Sequence, residues 1–270
     1  MSDILISQNE FEQFRALMRR VAGVELSPQK KSLVSGRLGR RLRALGLVSF
    51  GEYFRLVAGG TDPQEYERMV DLLTTHETYF FREPGHFDYL ADVVLPQLRT
   101  DRRSVRVWSA ASSSGEEAYS LAMVLADRLG IDAQWEVFAS DISREVVDKA
   151  RGGIYAMQRI DGIPSDYLRR FCLRGVGSRE GTLQVDPELR RRVRFAQVNL
   201  NEQLARIGDF DVIFLRNVLI YFDLPTKRRI VERVARQLRP GGWLFIGHSE
   251  SLNGLDLPLS QARPTIYRPA

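Results

Sequence analysis

Cysteine and histidine are nearly missing from this chain of 270 residues, which has one cysteine, Cys172, and three histidines. A single thiol excludes an internal disulfide. So few soft ligands also make a Cys/His zinc cluster unexpected, and a metal-free site is the expectation. No apolar run approaches the roughly 18 residues of a membrane span. The opening MSDILISQNEFEQF lacks the basic-then-apolar order of a secretory signal. Internal repeats and low-complexity segments are absent. So are the G-x-G-x-x-G turn and the G-x-x-x-x-G-K-[ST] loop, which lowers the odds of NAD, FAD or ATP as ligand. What remains is ordinary in amount, 44% hydrophobic and 27% charged residues. That composition fits a cytoplasmic globular protein with one large domain, or a small one and a medium one.

Net charge is a modest +5, but its placement is uneven: from Arg15 to Arg43 nine Lys or Arg face one acid, Glu25. Such a patch points to an anionic partner, nucleic acid or an acidic protein surface, or else to a plain solvated helix face. Helix punctuation fills the first ~75 residues. Ser7 with Glu10, Ser49 with Glu52 and Asp62 with Glu65 have capping-box spacing, and Ser27-Pro28 reads as an N-cap followed by Pro at the first helical position. Phe11, Phe14, Leu17 and Val21 share one face, as do Val34, Leu38, Leu42 and Leu45. Arg37, Arg40 and Arg43 lie opposite the second stripe, free to meet an acidic surface. Four short helices in a small all-α domain are expected.

From about residue 104 strands alternate with helices. Strands are predicted at 105–110, 135–140, 193–198, 211–216 and 242–247, and helices at 115–129, 143–151 and 225–238, the last stopped by RPGG. Apolar strands alternating with helices mean a parallel sheet covered on both faces. Between 152 and 192 the alternation breaks, and FCLRGVGSREGTLQV reads as two short strands around a Gly-rich turn, an antiparallel insert. The expected layout is a helical domain over 1–75, a linker and connecting helix over 76–103, and an α/β domain over 104–270.

The stretch VRVWSAASSSGEEAYSLAM (105–123) is a strand, a turn of small residues and a helix, the usual entrance of a nucleotide site. Yet Glu116 and Glu117 occupy the first helical turn, where they would repel phosphate. The second strand ends in Asp141, a residue that can take both ribose hydroxyls or simply serve the cap of the helix at Ser143. A ligand with a ribose, a cationic amino-acid tail and no phosphate satisfies both acids, and S-adenosylmethionine is such a ligand. After the fourth strand, FLRNVLIYFD (214–223) offers Arg216, Asn217 and Tyr221 in place of an amine-holding Asn/Asp-Pro-Pro-Tyr/Phe motif. A phenol and guanidinium groups suit a carboxylate acceptor; alternatively, Tyr221 merely packs.

TTHETYFFREP (74–84), WSAASSSGEEAYSLAM (108–123), ASDIS (139–143), RNVLIYFD (216–223) and LRPGGWLFIGHSE (238–250) resemble the CheR-type chemotaxis receptor methyltransferases over nearly the whole chain. The resemblance implies a Rossmann-like S-adenosylmethionine-dependent methyltransferase domain of α/β class, with a small antiparallel β insert and a small all-α domain before it. It implies methyl transfer to glutamate side chains of chemoreceptor cytoplasmic helices. By motif position Glu117 would hold the donor's ammonium and Asp141 its ribose. Asn199 and Leu200 would contact adenine, and Arg216 and Asn217 would line the pocket. Thr78 and Arg82 would come from the connecting segment. His76 stands where the family commonly has Asn, and its charge would make donor binding pH-sensitive.

A glutamate carboxylate is already ionised at neutral pH, so the reaction needs positioning more than proton transfer. Arg82 and Tyr221 are the expected positioning groups. Partners implied are receptor helices at Arg37, Arg40 and Arg43, with neither nucleic acid nor membrane insertion. In the resembled family a Gly-rich loop of the length found here, Arg174 to Gly181, binds a short aromatic-acidic peptide at receptor C-termini. Arg174 and Arg179 would meet its carboxylates at an open strand edge, unless the loop is a plain surface hairpin. The competing readings are a methyltransferase for RNA or a small molecule, and a catalytically silent docking module.

Overall fold

Four helices, α1 (Gln8–Ala22), α2 (Lys31–Leu45), α3 (Phe50–Ala58) and α4 (Pro63–Leu73), open the chain in the computed structural model, which describes residues 4–98, 104–204 and 207–270. Residues 99–103 of the expected linker lie outside the described residues. Ser7 and Glu10 form a reciprocal capping box. Ser49 accepts the amide of Glu52, whose carboxylate turns to the amide of Val48 instead. Asp62 caps the amide of Glu65, but the Glu65 side chain turns inward, 2.9 Å from Nε of Arg41 and 2.7 Å from the hydroxyl of Tyr53. Burial alone would raise that carboxyl; the bonds from Arg41 and Tyr53 outweigh it and hold its pKa below the ordinary value. Ser27 begins only a 3₁₀ turn and makes no side-chain cap.

Phe11, Phe14, Leu17, Val34, Leu38 and Leu42 meet in one core with α3 and α4, each worth roughly 1.5–3 kcal/mol of burial. Leu45 departs from the expected stripe: it sits at the last position of α2 and is 37% exposed. Arg37 departs too. Its Nη1 donates to the carbonyls of Leu72 and Thr74 at 3.1 and 2.7 Å, closing the carboxyl end of α4, so it is not free for a partner. Arg40 and Arg43 are exposed.

The connecting segment carries α5 (Pro84–Tyr89), which passes through one π-helical turn into α6 (Leu95–Leu98). Then come β1 (Val105–Ala110), α7 (Glu116–Leu129), β2 (Trp135–Asp141) and α8 (Arg144–Gly152). The region between the second and third sheet strands holds β3 (Ile154–Ala156), α9 (Ser165–Phe171), β4 (Cys172–Arg174), β5 (Thr182–Val185) and α10 (Pro187–Arg190). The chain finishes with β6 (Val193–Gln197), β7 (Phe210–Leu215), α11 (Leu224–Ala235), β8 (Leu238–Ile246), β9 (Leu259–Arg263) and β10 (Ile266–Pro269).

The main sheet has the order β6-β2-β1-β7-β8-β10-β9, parallel from β6 to β8. Alternate residues of its strands enter opposite cores. Val107, Phe214 and Phe245 pack with α7, while Trp108, Ile213 and Leu244 pack with α11. Two expectations need correction. RPGG (239–242) is not a helix stop; α11 ends at Ala235 and those residues lie inside β8, which is two residues from the helix. The sheet is also not wholly parallel, because β10 pairs antiparallel with β8 and with β9. The insert has three strands, not two, in the order β3-β5-β4.

β1 has β2 on one side and β7 on the other, so the chain reverses direction across the sheet there. In open α/β sheets the crevice at such a reversal, beyond the strand carboxyl ends, is where ligands bind.

Candidate active site

The turn after β1 is strained. Ala111 and Ser113 have φ of 71° and 49°, in the left-handed region that non-glycine residues seldom occupy. The strain is held by hydrogen bonds to the end of β2. The amides of Ala111 and Ser112 donate to the carbonyl of Ser140, and the amide of Ser113 donates to Oδ2 of Asp141 at 2.9 Å. Gly115 then enters α7 at φ 96°, and a Cβ there would stand 2.8 Å from Cβ of Ala150. Only glycine fits, both by conformation and by space.

The two acids of α7 separate. Glu116 is fully buried against Arg159, 2.9 Å away, and the hydroxyl of Ser114; it does not face the crevice. Glu117 does, and accepts the Ser109 hydroxyl at 2.6 Å. Burial raises the pKa of Glu117, with Arg216 and the Ser109 bond opposing the rise. Burial likewise raises Asp141, opposed by His76 and by the amides of Ser143, Ser113 and Ile142. Asp141 also accepts the amide of Ser143, which is itself the N-cap of α8.

Beyond these strand ends lies a cavity of about 1080 Å³, part of it open to solvent. Its wall brings together His76, Thr78, Arg82, Glu117, Asp141, Asn199, Leu200, Arg216, Asn217 and Tyr221, all ten site residues expected from the sequence. Val24, Leu26 and Lys30 close it from the helical side. The chain holds that side in place through Asn199, whose Nδ2 donates to the carbonyl of Val21 at 2.8 Å and to Glu202. Oδ1 of Asn199 accepts the amide of Asn201, so the side chain is committed within the protein and leaves its backbone and Leu200 for a ligand.

Arg216 is 4% exposed. Its Nη2 bonds the carbonyl of Arg82 and lies 3.1 Å from Oε2 of Glu83, while Phe87 and Phe214 flank the guanidinium at 5.6 Å. Nε and Nη1 have no hydrogen-bond acceptor, and Nη1 is 3.6 Å from Glu117. A buried guanidinium with two nitrogens lacking an acceptor, beside a part-buried carboxylate, offers the two charges that an amino-acid zwitterion would pair with. The amino-acid end of S-adenosylmethionine, an ammonium and a carboxylate on one carbon, fits this pair, and Asp141 at the next strand end fits its ribose.

Asn217 adopts φ 57° and donates from Nδ2 to Glu83 at 3.0 Å. Its amide and that of Leu219 donate to Glu250, a carboxyl that burial raises and backbone amides oppose. Glu83 and Glu250 were passed over in the sequence although both lie inside the quoted motifs. Their own residue type shows nothing until the loop after β7 closes on them. Arg82 donates to the carbonyl of Glu77 at 3.1 Å and lies over the ring of Tyr79. Tyr221 carries Lys30 over its ring at 5.3 Å, and its carbonyl accepts the amide of Glu25. His76 Nε2 is 2.8 Å from the Thr74 hydroxyl, and the carbonyl of Thr78 accepts from Arg159.

In the insert, Gly175 and Thr182 close the loop through a 2.9 Å backbone bond. Leu173 and Val176 are 49% and 80% exposed, and Arg174 and Arg179 are exposed as well. β5 is the central strand, so β4 is an edge of the small sheet.

Comparison with known proteins agrees with this layout. The family described as "CheR methyltransferase, all-alpha domain" matches residues 9–74, and "CheR methyltransferase, SAM binding domain" matches residues 76–267. The chain is 44% identical over 266 residues to chemotaxis protein methyltransferase 2 of Pseudomonas aeruginosa, covering 98% of this chain and 94% of that protein. It is 42% identical over 266 residues to the chemotaxis protein methyltransferase of Escherichia coli, covering 98% and 92%. With both family models matched in order, the chain belongs to the CheR family of S-adenosylmethionine-dependent methyltransferases.

Proposed function

We propose that the chain methylates glutamate side chains in the cytoplasmic domains of chemoreceptors, forming glutamyl methyl esters, and that it works in the cytoplasm as a helical domain over 1–75, a connector over 76–103 and a catalytic domain over 104–270. No helix among the described residues is long and apolar enough to cross a membrane. The observation that carries the reading is the pair of Arg216 and Glu117, which lines the cavity beside Asp141 with two guanidinium nitrogens lacking an acceptor.

When bound, S-adenosylmethionine supplies an electrophilic methyl group on a sulfonium. Glu117 holds the ammonium, Arg216 the carboxylate and Asp141 the ribose. The Leu200 side chain and the backbone at Asn199 lie against the adenine, and His76, Thr78 and Asn217 complete the wall. The acceptor carboxylate arrives ionised, since a free glutamate titrates near ~4.3. Arg82 and Tyr221, which line the same cavity, orient that carboxylate while its oxygen bonds the methyl carbon and the carbon–sulfur bond breaks, with S-adenosylhomocysteine leaving as the product. A guanidinium does not take up a proton at working pH, which suits a reaction that needs no base.

Arg40 and Arg43 on α2 face the acidic receptor helices. The loop from Arg174 to Gly181 takes a receptor C-terminal peptide along the β4 edge, with Arg174 and Arg179 pairing its carboxylates. Such a tether raises the local enzyme concentration without touching the chemistry.

The deciding assay incubates the protein with methyl-labelled donor and a receptor cytoplasmic fragment, then adds base. Volatile labelled methanol is the expected product, from ester hydrolysis. Label that stays with RNA or with an amine would replace the acceptor; no transfer at all would favour a silent docking module.

A further inference from the structure

Two of the three histidines in the chain come together with a carboxylate behind the donor cavity. Nδ1 of His86 is 3.4 Å from Oε2 of Glu83, and Nε2 of His248 is 3.9 Å from the same oxygen. One ligand atom from each of the three lies within 4.8 Å of the others, and the rings of His86 and His248 are 4.7 Å apart. The residues come from separate places, the start of α5 and the turn after β8. Glu83 also steadies Arg216 and Asn217 of the donor wall, while neither histidine has a role in the reaction described above.

Nε2 of His86 lies 2.8 Å from Oγ1 of Thr265, which is also 2.6 Å from the carbonyl of Pro264. When the hydroxyl proton goes to that carbonyl, Oγ1 accepts from Nε2–H, the tautomer in which Nδ1 presents a lone pair. Nδ1 has no hydrogen-bond partner although His86 is only 3% exposed. A buried lone pair pointed at a carboxylate is repulsive unless a positive centre stands between them.

We propose that Glu83, His86 and His248 form a site for one divalent transition-metal ion of the zinc class, which pins the connecting segment to the carboxyl end of β8. Such ions bind imidazole nitrogen and carboxylate oxygen at about 2.0–2.2 Å, so a tetrahedral site separates its ligand atoms by roughly 3.4 Å. The three ligand atoms, 3.4 and 3.9 Å apart in the two pairs with Glu83 and all within 4.8 Å, must draw together, and the exposed His248 side chain is the one with room to move. Water completes the fourth position on that side. The outer contacts of a metal site are also present. Thr265 fixes the His86 ring, and Glu83 is held by Nδ2 of Asn217 and the amide of His248. Arg216 opposes a cation here, 3.1 Å from Glu83, but its charge is shared with Glu117, 3.6 Å from Nη1. The composition argued against Cys/His clusters, and a mixed His/Glu set escapes that reasoning.

The test uses tag-free, chelator-treated protein titrated with Co²⁺ alone and with Zn²⁺ alone. Calorimetry should show one saturable site with a dissociation constant of about 10 µM or tighter. Co²⁺ should give the visible absorption of a four-coordinate nitrogen and oxygen site, and Zn²⁺ should raise the unfolding midpoint. His248→Ala, a change at an exposed side chain, should weaken binding at least about tenfold, whereas His76→Ala should bind like the wild type. In the wild type, Zn²⁺ should shift the Nδ1 resonance of His86, a readout independent of any variant's folding. Absence of saturable binding below about 100 µM, wild-type affinity in His248→Ala, or an unmoved His86 resonance at saturation overturns the site.

Discussion

Oε2 of Glu117 and Nη1 of Arg216 stand 3.6 Å apart as an ion pair without a hydrogen bond. Arg216 is buried and Glu117 largely so, and the pair alone leaves Nε and Nη1 of the guanidinium without an acceptor. Donor binding should supply the missing partners. Glu117→Gln is therefore expected to weaken donor affinity by about 1.5–3 kcal/mol, the usual cost of losing a charge-assisted bond, and Asp141→Asn by a similar amount. Calorimetry on folded variants measures both, and unchanged affinity in either would remove that residue from the donor site.

The same carboxyl sets a pH dependence. Burial holds Glu117 above its ordinary 4.5, against Arg216, the Ser109 hydroxyl and Arg82, with Glu83 adding to the rise. A raised acid releases folding energy when protonated, so its contribution to stability is present below the unfolded value and lost as pH rises through the folded one. Donor affinity runs the other way, because the ammonium needs the ionised form. Acidification from neutrality should thus weaken donor binding before an ordinary carboxylate would titrate, while Glu117→Gln flattens the profile. Parallel profiles for the two proteins would assign the titration to another group.

Arg82→Ala should lower turnover by one or more orders of magnitude while donor affinity changes less, since positioning effects fall on the chemical step. Tyr221→Phe should lower kcat more mildly. Single-turnover rates on receptor separate these from binding. Full activity in Tyr221→Phe would leave the ring only its contact with Lys30 and the helical side.

On α2 two arginines of the same apparent face should behave differently. Arg40→Glu is expected to raise the KM for receptor and to leave donor affinity alone, with the wild-type interaction weakening as salt rises. Arg37→Glu should in addition destabilise the fold by about 1–3 kcal/mol, because the carbonyls of Leu72 and Thr74 lose their donor. Thermal melts beside steady-state kinetics distinguish them; equal stability in the two variants would contradict the carbonyl contacts.

Shortening the loop around Gly177 should abolish binding of a Trp- and Glu-containing receptor C-terminal peptide and leave donor binding intact. Fluorescence titration of the wild type is the reference. If that titration shows no millimolar or tighter binding, β4 is an ordinary edge.

Local patterns read from the sequence carried far where the relevant physics is local. Ser7 and Glu10 cap α1 because a cap needs only three residues, and Val107 with Trp108 mark a strand because alternate residues must enter two cores. Glu117, Asp141 and Arg216 were legible because strand carboxyl ends are where a parallel sheet gathers ligands, whereas His76, Thr78, Arg82, Asn199 and Leu200 came only with the family resemblance. Tertiary structure decided everything that depends on where a side chain ends up. It turned Glu116 into the core and left Glu117 at the cavity, though both stand in the same helical turn. It spent Arg37 on helix carbonyls, and it drew RPGG into β8 because Leu238 pairs with Phe210. It also set Glu83 against His248, 165 residues away in the chain, through contacts that no pattern of neighbouring residues encodes.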